Sequence, residues 1–286
     1  MNQVEMLRPK GLAEAFSMME SKKGTKLMVL AGGTDIIPPL REKAISVDCF
    51  LDILGLGLGE IREQADGVSV GATCTMKQVA ESPIILKHFP SLAKATRSMG
   101  AGQTRAIATI GGNLCSGVSC LDSMPPLLVH DAVFTLTSAN GTRQIPANEF
   151  LAHHRKSQLK VGEELLTEIF LPFAKPGFKA DFIKFGRRKA LSLSLVNVGF
   201  GAEVSGGVFK NARAAVGSCA PTPVRAVELE NYLEGKSITQ IDFDEVGRLV
   251  KASISPISDI RASAEYRSDL SAALICKLVR AVAGKE

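Results

Sequence analysis

Apolar residues recur at helical spacing over residues 11–21, placing Leu12, Ala15, Phe16 and Met19 on one face. A short apolar run at 27–30 reads as a strand, and Pro38 and Pro39 end any helix that begins just after it. This makes a small α/β unit ending near Leu54, with Gly55, Gly57 and Gly59 marking a boundary. Residues 67–72 alternate as a strand. A helix over 76–81 is stopped by Pro83, and another covers about 91–98. Pro125 and Pro126 open a helix over 127–130. The runs 132–137 and 142–145 flank Ser138-Ala139-Asn140-Gly141 as a hairpin, and 165–171 is a strand closed by Pro172.

After Pro176 the pattern changes. Residues 178–185, 195–204 and 208–216 read as antiparallel strands, the last two joined through Ser205-Gly206-Gly207. Residues 226–233, 243–253 and 263–282 then carry helical periodicity. Strands grouped apart from helices favour an α+β fold over a doubly wound sheet. The expected division is 1–54 as an N-terminal α/β part, 55–175 as a middle α+β part and 176–286 as a sheet-and-helix domain.

Two glycine-rich turns stand out. The first is Leu30, Ala31, Gly32, Gly33, Thr34, Asp35 and Ile36; the second is Thr109, Ile110, Gly111, Gly112, Asn113 and Leu114. Glycine tolerates φ > 0, and its bare backbone lets a ligand come close. Successive N–H groups in such turns make anion-binding concavities, and Thr34, Thr109 and Asn113 can add side-chain hydrogen bonds to phosphate oxygens. Two such turns suggest a diphosphate gripped from both sides. Neither fits G-x-x-x-x-G-K-[ST] or a G-x-G-x-x-G opening a helix, so the commoner nucleotide folds are disfavoured. The plainer alternative is ordinary loop chemistry.

Composition narrows the classes further. Among 286 residues with net charge +5, Lys and Arg are dispersed and interleaved with acids, and there is no Trp and only two Tyr, so a nucleic-acid binder is not indicated. No apolar stretch approaches the ~20 residues of a membrane span. The N-terminal segment has no apolar core after its charges and does not read as a secretory signal, so a cytoplasmic location is expected. Six cysteines without C-x-x-C spacing read as reduced thiols. Cys115 and Cys120 flank the second turn, but an iron–sulfur cluster usually takes four thiolates and the others are scattered. His153 and His154 lack partners for a metal site and read as exposed.

Taken in order, the two turns and their surroundings resemble the FAD-binding subunit of molybdenum-containing hydroxylases, the family of xanthine, carbon monoxide and nicotinate dehydrogenases. The resemblance rests on LAGGTDI at 30–36, RAIATIGGNL at 105–114, LDSMPPLLVHD at 121–131, KFGRRKAL at 184–191, APTPVR at 220–225 and RASAEYR at 261–267. It covers nearly the whole chain. It implies a two-part FAD-binding domain followed by a C-terminal antiparallel sheet with helices, within the α+β class.

Carried over, the resemblance places residues 30–36 together with Thr109, Gly111, Gly112 and Asn113 around the FAD pyrophosphate. Asp122 would bond ribityl or ribose hydroxyls, Leu165 or Leu166 would lie near the adenine or flavin edge, and Lys184 towards the flavin ring. Each also has a plainer reading: Asp122 as a helix N-cap, Asn113 as a left-handed turn residue, Leu165 and Leu166 as core, and Lys184 with Arg187 and Arg188 as an exposed strand end. No catalytic residue and no metal ligand is expected in this chain.

The resemblance further implies a large molybdenum-cofactor partner, a small partner with [2Fe–2S] clusters, and a hetero-oligomer such as a dimer of heterotrimers. FAD would take electrons from the clusters and pass them to NAD or another acceptor. Two alternatives stay open: a stand-alone FAD-dependent oxidoreductase, and a non-catalytic module binding some other phosphate-bearing ligand.

Overall fold

The computed structural model describes residues 4–188 and 191–284. Residues 1–3, 285 and 286 lie outside them, as do Lys189 and Ala190 of the 184–191 stretch and the first residues of the N-terminal segment read above.

Three sheets succeed one another along the chain. The first is parallel, ordered β1-β3-β2 from β1 (Glu5–Leu7), β2 (Leu27–Leu30) and β3 (Cys49–Asp52). Helix α1 (Leu12–Ser21) buries Ala15, Phe16 and Met19 against Leu51 and Ile53, as its 3.6-residue spacing requires. Helix α2 (Ile37–Arg41) contains Pro38 and Pro39, which were expected to end any helix there. They lie in its first turn, where the missing N–H groups would have no intrahelical acceptor.

The second sheet is antiparallel, ordered β4-β5-β10-β6-β7. Its first four strands are β4 (Ile61–Glu63), β5 (Gly67–Gly71), β6 (Val133–Ser138) and β7 (Gly141–Pro146). A small ribbon, β8 (Leu151–His153) with β9 (Lys156–Ser157), precedes β10 (Glu164–Pro172). Between β5 and β6 run α3 (Met76–Glu81), α4 (Pro83–His88), α5 (Pro90–Arg97), α6 (Gly102–Ile107), α7 (Ile110–Ser116) and α8 (Met124–Val129), with α9 (Ala147–Phe150) after β7.

Alternation along β10 sends consecutive leucines to opposite faces. Leu165 packs with Ala15, Phe16 and Leu51 of the N-terminal core, and Leu166 joins Phe134, Leu136 and Ile169 in the middle core. One strand therefore joins the two parts.

The third sheet is antiparallel, ordered β11 (Phe178–Gly186), β12 (Ser194–Ser205), β13 (Val208–Gly217) and β14 (Val224–Arg225). Helices α10 (Val227–Leu233), α11 (Phe243–Ala252) and α12 (Ala264–Val282) follow, and α10 and α12 pack on it. Helix α8 contacts β11, β12 and β13, so β12 is buried for most of its length. Gly199 of β12 allows this approach, because a Cβ there would sit 3.1 Å from the Pro125 carbonyl oxygen. The class is α+β, as the grouping of strands and helices predicted. Among the described residues no helix is long and apolar enough to cross a membrane.

Candidate functional site

The first glycine turn leaves the C-terminal end of β2 and enters α2. Gly33 has φ +69°, and its carbonyl accepts from the N–H groups of Ile36 and Ile37, which folds 33–37 into a tight hook. Leu30 closes the strand by accepting from the Ile53 N–H, Ala31 packs against the N-terminal core and Ile36 caps α2. Within the hook, the N–H groups of Gly32, Gly33, Thr34 and Asp35 have no hydrogen-bond partner among the described residues. Four consecutive free donors around a left-handed glycine are an anion-binding concavity built from backbone alone.

Gly32 faces the other turn. A Cβ on it would collide with the Ile107 carbonyl and lie 3.0 Å from the Ala108 Cα, so glycine is what lets residues 107–108 stand directly behind the hook. The two glycine segments thus meet, 75 residues of chain apart.

The second segment differs from expectation. Residues 110–116 are helix α7 with Thr109 as N-cap, and neither Gly111 nor Gly112 has positive φ. Its N–H groups are already engaged: Ile110 donates to the Cys74 carbonyl at 2.9 Å, Gly111 to the Ala72 carbonyl at 2.9 Å, Gly112 to Thr109 Oγ1 at 3.1 Å and Asn113 to the Thr109 carbonyl at 3.0 Å. Gly111 is glycine for packing, since a Cβ would come within 2.7 Å of Ala72. What this segment can still offer a ligand is the NH2 of the Asn113 amide, whose Oδ1 accepts from Ser123 Oγ at 2.7 Å. The signal for this helix was in the sequence, since Thr is a preferred N-cap residue.

A cavity of about 300 Å³ opens where the segments meet, bordered by Thr34, Asp35, Ala108, Asn113, Cys120 and Asp122 and closed on one side by residues 191–193. Leu191, at φ +52°, ties that closing segment to the rest by donating to the Gly100 carbonyl at 3.2 Å. Leu191 ends the 184–191 stretch quoted above, whereas nothing in the sequence marked Ser192 and Leu193 as part of the site. The volume is at the low end for ligand pockets, about 300–1,000 Å³. Asp35 reaches the surface, yet the chain crowding it raises its carboxyl above the usual carboxylate range against the pull of Arg155. Burial also raises the Cys120 thiol, and the neighbouring Asp122 adds to this, so Cys120 stays protonated.

Asp122 is 5% exposed and caps no helix. Its Oδ1 accepts from Ser194 Oγ at 2.5 Å and Asn197 Nδ2 at 2.9 Å, and its Oδ2 from Lys184 Nζ at 2.6 Å. Lys184 also donates to the Ser98 carbonyl at 3.2 Å. A buried ion pair with every oxygen engaged thus stands at the back of the cavity and links it to β11 and β12. Ser194 and Asn197 escaped sequence reasoning because their partner is more than 70 residues away. Leu165 and Leu166 do not border this cavity; both are core. His153 and His154 are exposed.

Comparison with known proteins gives matches over nearly the whole chain. Residues 2–174 match the family model described as FAD binding domain in molybdopterin dehydrogenase, and residues 181–282 match CO dehydrogenase flavoprotein C-terminal domain. The chain is 31% identical over 270 residues to the putative xanthine dehydrogenase FAD-binding subunit of Escherichia coli strain K12, covering 94% of this chain and 92% of that one. It is 30% identical to the glyceraldehyde dehydrogenase medium chain of Sulfolobus acidocaldarius, covering 97% of each. Among solved structures, carbon monoxide dehydrogenase from Hydrogenophaga pseudoflava, in a form lacking the Mo-pyranopterin moiety of its cofactor, superposes with TM-score 0.92 at 26% identity, over 98% of this chain and 97% of that one.

Proposed function

This chain belongs to the family of FAD-binding subunits of molybdenum-containing dehydrogenases, and we propose that its hook at 32–35 grips the FAD diphosphate for electron transfer within a larger complex. FAD is its cofactor and it is an oxidoreductase subunit. Bound FAD would supply the electron transfer there, from [2Fe–2S] clusters on a small partner fed by a molybdenum centre on a large one. The electrons would leave in pairs to NAD or another acceptor.

The observation that carries the reading is the run of four unpartnered N–H groups at Gly32, Gly33, Thr34 and Asp35, of which Thr34 and Asp35 border a cavity that Asn113 of the second glycine segment also lines. The residues present fit the cofactor. Backbone donors suit phosphate oxygens. The Asn113 amide supplies donors from the second segment, with buried Thr109 behind it as the cap of α7. Leu30, Ala31 and Ile36 shape the hook, Gly32 lets residues 107–108 stand behind it, and Gly111 lets α7 pack on Ala72. Asp122 holds Lys184 in place, so that its charge is balanced and its position beside the cavity fixed. Leu165 and Leu166 act from the core, by fixing the N-terminal part on the middle sheet. We take 1–54 and 55–175 as the two jaws of the FAD-binding part and 176–286 as the domain that closes the cavity with Lys184 and residues 191–193.

Purification of the native protein tests this. The expected result is about one FAD per chain, with a large molybdenum-containing chain and a small iron–sulfur chain co-purifying. A single colourless chain with no affinity for FAD would refute the proposal, and an FAD-loaded chain active alone would refute its partner claim.

A further inference from the structure

A second cleft, about 350 Å³ in volume, lies between α5, β11 and α12, on the other side of Lys184 from the cavity described above. Three separate elements each bring a lysine to it: Lys94 from α5, Lys184 from β11 and Lys277 from α12. The one carboxylate in its lining, Asp181, is held by Lys94 Nζ at 2.7 and 2.9 Å. Lys184 spends its charge on Asp122, which borders the other cavity. Lys277 has no hydrogen-bond or ion-pair partner among the described residues and is exposed. Even with Asp122 counted, the lysines outnumber the carboxylates they touch. The remaining wall is apolar, formed by Phe182, Ile183 and the α12 face.

We propose that this cleft is an anion site that takes the diphosphate of a nucleotide. Each lysine is a compact cation with three donors and no acceptor, which suits terminal and bridging phosphate oxygens and gives nothing to a neutral ligand. Lys94, Lys184 and Lys277 line the cleft from three elements, Lys277 with its ammonium free of partners among the described residues, and the apolar wall beside them suits a nucleoside portion more than a solvated ion alone. The assignment rests on this geometry and not on the hook's reading. The shared Lys184 makes the two sites neighbours: an anion in the cleft competes with Asp122 for the same ammonium, so occupancy there and the environment of the first cavity are linked.

Calorimetric titration of inorganic pyrophosphate, and separately of ADP, into the FAD-saturated full-length protein at low salt tests the site. Saturation with FAD keeps the hook occupied, so failure here is distinct from failure of the flavin reading. The expected result is one saturable site per chain with flavin retained, weakened about fivefold by Lys277→Ala, the scale of one exposed charge contact, and weakened again as salt is raised. Lys94→Ala is expected to weaken it similarly. Tighter binding of ADP than of pyrophosphate assigns the apolar wall to the nucleoside; equal affinity assigns the site to the diphosphate alone. Absence of saturable binding, unchanged affinity in Lys277→Ala and Lys94→Ala, or release of FAD during the titration would overturn the proposal.

Discussion

Gly32 and Gly112 illustrate how the same residue type serves opposite ends. Gly32 is constrained by a neighbouring backbone, against which a Cβ has no room. Gly112 is exposed in the first turn of α7, and a Cβ there meets only the Thr109 hydroxyl at 2.9 Å. Flavin content per chain, measured after purification, should therefore be lost in Gly32→Ala and largely kept in Gly112→Ala. Equal loss in both would mean that the α7 amides, not the hook, hold the cofactor.

His130 allows a pH test at the same scale. It is 7% exposed, its Nε2 meets Ser91 Oγ at 2.9 Å, and its Nδ1 has no partner, so burial lowers its pKa from 6.5 to about 4 against the weaker pull of Asp131. The unfolded chain binds this proton first. The stability that neutral His130 permits is full above pH 6.5 and falls as pH drops towards 4, by about 3 kcal/mol. Denaturation midpoints between pH 4 and 7 should show that slope in the wild type and a shallower one in His130→Gln; parallel slopes would contradict the assignment.

The ion pair of Asp122 and Lys184 acts between elements, joining the loop before α8 to β11, with Ser194 and Asn197 of β12 completing it. Asp122→Ala leaves a buried lysine without its counter-charge and should cost about 3–5 kcal/mol in urea unfolding. A cost within experimental error would show that water reaches Lys184 freely.

Several elements could be read from the chain alone: the strands at 27–30, 67–71 and 178–217 and the three late helices follow from periodicity and turn residues. Helix α7 was missed because a Gly-Gly pair signals a turn more strongly than a Thr cap signals a helix. The strands at 5–7 and 49–52 are too short to show a period and exist through their parallel partners. The same limit hid the site's second half. The hook is contiguous and was legible, whereas the links of Gly32 to Ile107 and of Asp122 to Lys184, Ser194 and Asn197 are made only by the folded chain.

At the scale of the whole molecule, the proposed site would make FAD a clamp between the N-terminal and middle parts, because the hook belongs to the first and its backing residues 107–108 to the second. A ligand that binds only the folded chain stabilises it by mass action, by about 2.7 kcal/mol at a hundredfold excess over its Kd. FAD should therefore raise the melting temperature of the flavin-free chain. Riboflavin, which has no diphosphate, should raise it far less at equal concentration. Equal shifts would move the main grip from the diphosphate to the ring.

The most direct test of the hook is amide hydrogen exchange, followed residue by residue by NMR in the flavin-free protein and after addition of FAD. The N–H groups of Gly32, Gly33, Thr34 and Asp35, unbonded within the chain, should exchange fast without FAD and become strongly protected with it. Those of Ile110, Gly111, Gly112 and Asn113 should change little, because they are already bonded. Protection appearing at 110–113 while 32–35 still exchange freely would contradict the account.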